Sequence, residues 1–296
     1  MKVGYVSIVG KPNVGKSTLM NAIFNKKVSI VSSKSQTTRN TIDRIYEDEN
    51  CQIIFVDTPG IHKPMKKLGE VMNKSSYDTI RGADVSLFLL DAGSKFTDQD
   101  YYLFNHLKFD NKVIVVFNKI DTTNILIIES LKKEVKTLIP DADIFEICAK
   151  DKFNVKELVE KICEYLPEGN KIDYNEPENY EFTISEVIRE RALNILKEEV
   201  PHSLYIKVNS VEFHGKMIDS SAVIYVEKES QKGIVIGKNG EMIKRIGHAS
   251  RTELEKIYHT HVNLNLVVRV RKDWRNDMKA ISNYGFINKW ILRELF

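Results

Sequence analysis

Along the first 166 residues, short runs of β-branched and aromatic residues alternate with longer stretches whose apolar positions recur every three to four residues. The runs are Val3–Val9, Gln52–Val56, Val85–Leu90, Val113–Phe117 and Ile144–Ile147; the longer stretches are Lys16–Phe24, Phe96–Leu107, Ile125–Leu138 and Val155–Leu166. Such runs predict strands, and the 3.6-residue period predicts amphipathic helices. Their regular alternation predicts an α/β fold, a mostly parallel sheet with helices on both faces. From Leu166 to Tyr180 the chain offers no apolar face in either period; Pro167, Gly169 and Pro177 punctuate it, and it reads as an exposed linker. Beyond it the expected order is a helix over Ser185–Glu199, strands over Leu204–Phe213 and Ala222–Glu227, a Gly-rich turn into a helix over Glu241–Tyr258, and a strand over Val262–Val270. That order suits a small α+β domain. The expected division is 1–168, a linker over 169–182, and 183–296. No repeat of 20–50 residues is evident, which argues against a solenoid.

Composition then narrows the class. With 296 residues and 42% apolar positions the chain is long and apolar enough for two packed cores, so wholesale disorder is excluded. The net charge of +3 hides an asymmetry: residues 183–296 hold 19 Lys and Arg against 14 Asp and Glu, so the basic surplus lies there. Cys51, Cys148 and Cys163 are odd in number and widely spaced, which points to neither a disulfide framework nor a zinc site and fits a reducing compartment. The apolar run at the start is broken by Gly10, Lys11 and Pro12, too soon for a signal peptide, and no run approaches 18 apolar residues. A soluble, cytoplasmic protein is expected.

Candidate chemistry in the first part starts at Gly10-Lys-Pro-Asn-Val-Gly15-Lys16-Ser17, which fits the phosphate-loop pattern GxxxxGK[ST] between a strand and a helix. Gly10 and Gly15 allow backbone N–H groups and a helix N-terminus to surround phosphates. Lys16 is then expected on the β/γ oxygens and Ser17 on Mg²⁺, with Asn13, Val14 and Thr18 completing the nucleotide set. Asp57-Thr-Pro-Gly60 follows an apolar strand; Asp57 is expected in the Mg²⁺ shell and the Gly60 N–H near a γ-phosphate. Asn118-Lys119-Ile-Asp121 supplies a carboxylate that accepts from two guanine N–H groups. Adenine lacks that donor pair, so GTP or GDP is the expected nucleotide. Position 61 holds Ile61, which cannot orient water by hydrogen bonding.

The second part carries Ile234-Val-Ile236-Gly237-Lys238-Asn239-Gly240, followed by an amphipathic helix with Lys244 and Arg245. A GxxG turn flanked in this way is the signature of a KH module of the type II arrangement, which clamps about four nucleotides of single-stranded RNA. Residues 232–275 hold ten basic residues against four acidic ones, a phosphate-facing strip that includes Arg251, Arg269, Arg271, Lys272 and Arg275. Trp274 is open to either base stacking or the core. His259 and His261 lack further ligands nearby and do not read as a zinc site. Residues 286–296 read as the end of an amphipathic helix that packs on the KH domain.

The motif order, with GKPNVGKST, SQTTRN, DTPGIHKP and NKID followed by ESQKGIVIGKNG, resembles the Era family of bacterial GTPases over nearly the whole chain. The resemblance implies a slow GTPase, with Lys16, Thr38 and Gly60 as the catalytic group and Thr38 closing on Mg²⁺ beside Ser17 and Asp57. It implies that Cys148-Ala149-Lys150 packs on guanine, with Cys148 where Ser is usual and the Ala149 N–H left for the base. Asn13 resembles the residue that holds K⁺ in potassium-stimulated GTPases. The family further implies a monomer that binds the 3′ end of 16S rRNA through its KH domain, assists 30S subunit maturation and associates peripherally with the inner face of the cell membrane. Asn239 departs from the usual GKGG turn. Two other readings stay open: an RNA-modifying enzyme using ATP, and an RNA-binding protein that holds nucleotide without hydrolysing it.

Overall fold

The computed structural model describes residues 1–29, 42–59, 61, 64, 66–106, 111–173, 179–197, 199–284 and 286. They form two compact units, one from the described residues up to 173 and one within 179–284.

The first unit runs β1 (Lys2–Gly10), α1 (Lys16–Phe24), β2 (Ile42–Glu47), β3 (Cys51–Asp57), α2 (Lys67–Gly82), β4 (Val85–Asp91), α3 (Asp98–His106), β5 (Lys112–Asn118), α4 (Ile125–Leu138), β6 (Asp143–Glu146) and α5 (Val155–Tyr165). Six strands lie in the order β2-β3-β1-β4-β5-β6, all parallel except β2, which runs antiparallel to β3. Successive residues of β1 serve opposite faces: Ile8 packs with Leu19 of α1 and Leu158 of α5, while Val9 packs with Ile80 of α2, Leu103 of α3 and Leu131 of α4. Both faces of the sheet are therefore covered, which explains why its central strands are apolar at nearly every position. The polar Ser7 and Ser86 stand in register on β1 and β4 and share a buried 2.8 Å hydroxyl hydrogen bond.

Two elements here escape the sequence pattern. The edge strand β2 reads IDRIYE, charged enough to look like loop, as edge strands often do. α2 has buried Asn73, Ser75 and Ser76 on its inner face, which blurs its period. Part of the expected linker is also docked: Pro167 O accepts from Val3 N, Gly169 N donates to Met1 O, and Ile172 exchanges two hydrogen bonds with the Gln52 side chain. β4 pairs with β1 only from Val6 onward, so the first residues of β1 have backbone groups for this segment to satisfy. The cysteines need correcting too, since Cys51 and Cys163 form a disulfide with 6.0 Å between Cα atoms. A sequence separation of 112 residues carries no sign of that proximity.

The second unit runs α6 (Tyr180–Ile195), α7 (Val200–Ser203), β7 (Tyr205–His214), β8 (Met217–Val226), α8 (Glu229–Ile236), α9 (Glu241–Tyr258), β9 (His261–Val270) and α10 (Met278–Asn283). Its sheet has the order β7-β8-β9, with β7 antiparallel and β9 parallel to β8. α6 and α9 pack together beside the sheet over a core that includes Ile188, Ile224, Leu254 and Val268. α6 starts five residues before its expected start because the Asn179 side chain caps it by accepting from Phe182 N. β8 extends back to Met217 because Ser221, which looks like a break, exchanges a 2.7 Å hydroxyl hydrogen bond with Ser210 opposite. The β-branched Ile234-Val235-Ile236 lie in a helix, with the Gln231 side chain accepting from Glu227 N and Lys228 N at its start.

Candidate functional site

At the carboxyl end of β1 the chain turns into α1 through three residues with positive φ: Gly10 (+152°), Asn13 (+68°) and Gly15 (+102°). A Cβ on Gly10 would meet Leu89 O at 2.5 Å, and one on Gly15 would meet Asn118 Nδ2 at 2.2 Å, so neither position admits a side chain. Lys16 is buried and donates to Gly10 O at 3.0 Å and Lys11 O at 2.9 Å. Burial pulls its pKa down to about 8, against the opposing pull of the Asp57 carboxylate. A desolvated ammonium beneath a ring of backbone N–H groups is matched to an anion, which restores what burial takes away.

Asp57 ends β3 beside β1, in register with Ile8, and is fully buried; its Oδ2 accepts from Ser29 Oγ at 3.1 Å. Ser17 opens α1 next to Lys16. Thr38 and Gly60, expected at the γ-phosphate, lie outside the described residues. Ile61 is fully buried among Val9, Phe88 and Leu103, and its carbonyl accepts from Gln99 Nε2 at 3.1 Å.

Asn118, at the end of β5, ties two loops together. Its Nδ2 donates to Val14 O at 2.8 Å, and its Oδ1 accepts from Lys119 N at 2.8 Å and Ala149 N at 3.0 Å. The Ala149 N–H, expected to be free for the base, is thus engaged in this structure; with Asn118 buried, its carbonyl oxygen takes the nearest donors. Lys119 adopts positive φ and donates to Asn13 O and Asp91 Oδ2, both at 2.7 Å. Asp121 is exposed, whereas Cys148 behind it is buried and places its thiol 3.2 Å from both Asp121 Oδ1 and Asp151 Oδ2. Burial, with the two carboxylates beside it, holds this thiol above its usual pKa, so it stays a protonated donor at neutral pH. Lys150 is exposed next to this pair.

In the second unit Gly237, Asn239 and Gly240 all have positive φ, of +73°, +52° and +75°. A Cβ on Gly237 would lie 2.7 Å from the Met242 Cβ, whereas one on Gly240 would face open space. Asn239 takes up the left-handed conformation that Asn tolerates better than most residues. Ile236 precedes the turn half-buried, and Lys238, Asn239, Lys244 and Arg245 are arrayed around it at or near the surface. Alongside, between α9 and β9, lies a cavity of about 300 Å³. Ile243, Gly247, Leu264 and Leu266 supply apolar walls, and Lys244, His248, Arg251 and Asn263 supply polar groups. The sequence reading missed most of this lining; the alternation in HVNLNLV carried the signal for the β9 residues.

Three residues of the basic strip and its surroundings serve the fold instead. Arg271 pairs with Asp277 and Arg275 with Glu227, and Trp274 is fully buried with Nε1 donating to Ser203 O at 2.9 Å. Trp274 is core. Among the described residues His259 and His261 belong to no cluster of metal ligands, and no helix is long and apolar enough to cross a membrane.

Comparison with known proteins matches residues 5–119 to the family described as 50S ribosome-binding GTPase, and residues 199–275 to the KH domain. The GTPase Era of Carboxydothermus hydrogenoformans is 43% identical over 295 residues, covering 96% of this chain and 98% of that protein. The GTPase Era of Caldanaerobacter subterraneus subsp. tengcongensis is 44% identical over 291 residues, with the same coverage. Among solved structures, a singly substituted Aquifex aeolicus Era bound to GDP·AlF4⁻ superposes with a TM-score of 0.92 at 38% identity, covering 97% of this chain and all of that one. An Era in complex with MgGDPNP and nucleotides 1506–1542 of 16S ribosomal RNA superposes with a TM-score of 0.91 at the same identity and coverage.

Proposed function

Because the chain belongs to the GTPase Era family, we propose that it is a GTP-driven switch that holds the 3′ end of 16S rRNA through its KH domain and assists 30S subunit assembly and maturation. Residues 1–168 carry the nucleotide chemistry and 183–296 the RNA chemistry. The observation that carries the nucleotide reading is the Asn118 amide, which bonds the phosphate loop at Val14 O and the guanine loop at Ala149 N. One side chain thereby sets the distance between phosphate and base.

In this reading Lys16 and the backbone N–H groups of residues 13–18 bind the phosphates, and Asp121 accepts from the guanine edge while the Cys148 thiol steadies it. Ser17, Asp57 and Thr38 would hold Mg²⁺, which when bound would supply positive charge to the phosphate oxygens. Water attacks the γ-phosphorus in line, the bond to the β-phosphate oxygen breaks, and GDP and phosphate result. Gly60 hydrogen-bonds the transferring group. The Asn13 assignment rests on the KPNVGKS resemblance: faster GTP turnover in KCl than in NaCl at matched ionic strength supports K⁺ there, and equal turnover removes it. On the RNA side, Gly237–Gly240 lie against the sugar-phosphate backbone with Ile236, Lys238, Asn239 and Arg245 beside the turn, and Lys244 leads from it into the α9–β9 cavity that takes splayed bases. Family membership also supports a monomer in the cytoplasm, where a reducing environment would keep Cys51 and Cys163 as thiols, with peripheral attachment to the inner face of the membrane.

The test is crosslinking of the GTP-analogue-bound protein to RNA in lysate, with the Gly237→Asp, Gly240→Asp double variant as control. Fragments from the 3′ end of small-subunit rRNA that vanish in the variant are expected. Fragments from tRNA or mRNA would place the switch on another target.

A further inference from the structure

The connection from β4 into α3, Asp91 to Asp100, matches no nucleotide motif, yet it reaches all three nucleotide loops. At its start Asp91 Oδ2 accepts from Lys119 Nζ at 2.7 Å. At its end Asp100, 1% exposed, accepts on Oδ2 from Lys11 Nζ at 2.6 Å, from Thr97 N at 2.8 Å and from Thr97 Oγ1 at 2.8 Å. Lys11 is the second residue of the phosphate loop, and its carbonyl takes a hydrogen bond from Lys16 Nζ at 2.9 Å. One residue before Asp100, Gln99 donates its amide to Ile61 O at 3.1 Å.

Two adjacent side chains in the first turn of α3 thus hold two parts of the site that hydrolysis must bring together. An ion pair with one partner this buried costs desolvation and is a weak source of net stability, so it is better read as fixing geometry. The aliphatic Ile61 cannot orient the nucleophile with its side chain, which leaves the path of its main chain as the variable that matters at this position. We propose that the first turn of α3 is a positioning element for GTP hydrolysis: Gln99 fixes the main chain at Ile61 against a phosphate loop that Asp100 anchors through Lys11. Gln99 and Asp100 are positioning residues, acting through Ile61 and Lys11. The inference rests on the GTPase activity of the chain.

Steady-state and single-turnover GTP hydrolysis by the full chain, with GDP affinity and Tm measured in parallel, tests it on Gln99→Leu, Asp100→Asn and their combination. Gln99→Leu is expected to lower kcat about tenfold, short of the roughly hundredfold that a 1 Å misplacement can cost, and to leave KM, GDP affinity and Tm unchanged. Gln99→Lys, which keeps a donor, recovers part of the loss. Once Asp100→Asn has removed the charge that anchors Lys11, leaving it the weaker bond to Thr97 Oγ1 at 3.2 Å, adding Gln99→Leu lowers kcat little further, because residues acting as a unit are non-additive. Should Asp100→Asn fail to fold, the Leu and Lys variants at position 99 decide alone. A Gln99→Leu protein with kcat within twofold of wild type, or one whose kcat falls only in step with GDP affinity or Tm, overturns the proposal. A wild-type chain that binds GTP without turning it over overturns the activity itself.

Discussion

Lys16 is a residue whose own chemistry sets a measurable consequence. Its pKa in the free protein is lowered to about 8 from 10.5, first by burial, with Asp57 pulling the other way. Between those two values the unfolded chain holds a proton that the folded, ligand-free chain lacks, so raising the pH through this window favours folding. Phosphate binding works in the opposite sense, because an anion beside Lys16 stabilises the ammonium and raises its pKa. Below pH 8 the proton is already present and GDP affinity should be flat with pH. Above pH 8 binding should take up close to one proton, and affinity should fall by about tenfold per pH unit. Calorimetry of GDP binding between pH 7 and 9, in buffers of different ionisation enthalpy, reads this uptake directly; no uptake at pH 9 would mean that Lys16 keeps its proton without the ligand.

At the scale of elements, the Cys51–Cys163 disulfide joins the first residue of β3 to the last turn of α5. Closing so long a loop restricts the unfolded chain, and native disulfides contribute about 2–5 kcal/mol. With about 2–4 °C per kcal/mol for a unit of this size, reduction should lower the Tm of the first unit by about 4–20 °C. Cys163→Ser should show the reduced value with or without dithiothreitol, and an equal Tm for oxidised and reduced wild type would show that the bond contributes nothing. This pairing also marks where sequence reading stops. The strands that feed the nucleotide loops were legible because burial on both faces leaves continuous apolar runs, and Lys16, Asp57, Asn118 and Gly237 were legible because a special backbone or a fixed register dictates their type. What depends on long-range proximity was not: the disulfide, the docking of Ile172 on Gln52, and the ties from Asp100 and Gln99 to Lys11 and Ile61. α8 was hidden for a different reason, since Ile234-Val-Ile236 has strand composition and the Gln231 cap at its start decides for helix.

For the whole molecule the charge asymmetry and the two chemistries bear on one quantity. The basic surplus sits in residues 183–296, while the nucleotide loops sit in a first part with a slight acidic excess. If Lys238, Lys244 and Arg245 contact RNA phosphates as proposed, RNA affinity should fall with salt by a logarithmic slope of about 0.7 per phosphate neutralised on a single strand. If the GTP and GDP forms differ in their affinity for RNA, linkage requires RNA to change the preference for GTP over GDP by the same factor, typically about 5–150-fold for coupled sites. The expected result is tighter binding of a 16S 3′-end oligonucleotide by the GTP-analogue form than by the GDP form, read by fluorescence anisotropy at fixed salt. The RNA must then tighten the GTP analogue relative to GDP by an equal ratio in a separate nucleotide titration. Equal RNA affinities in the two forms would remove the coupling and leave two activities that share a chain; unequal affinities without the reciprocal nucleotide effect would mean that one titration was not at equilibrium.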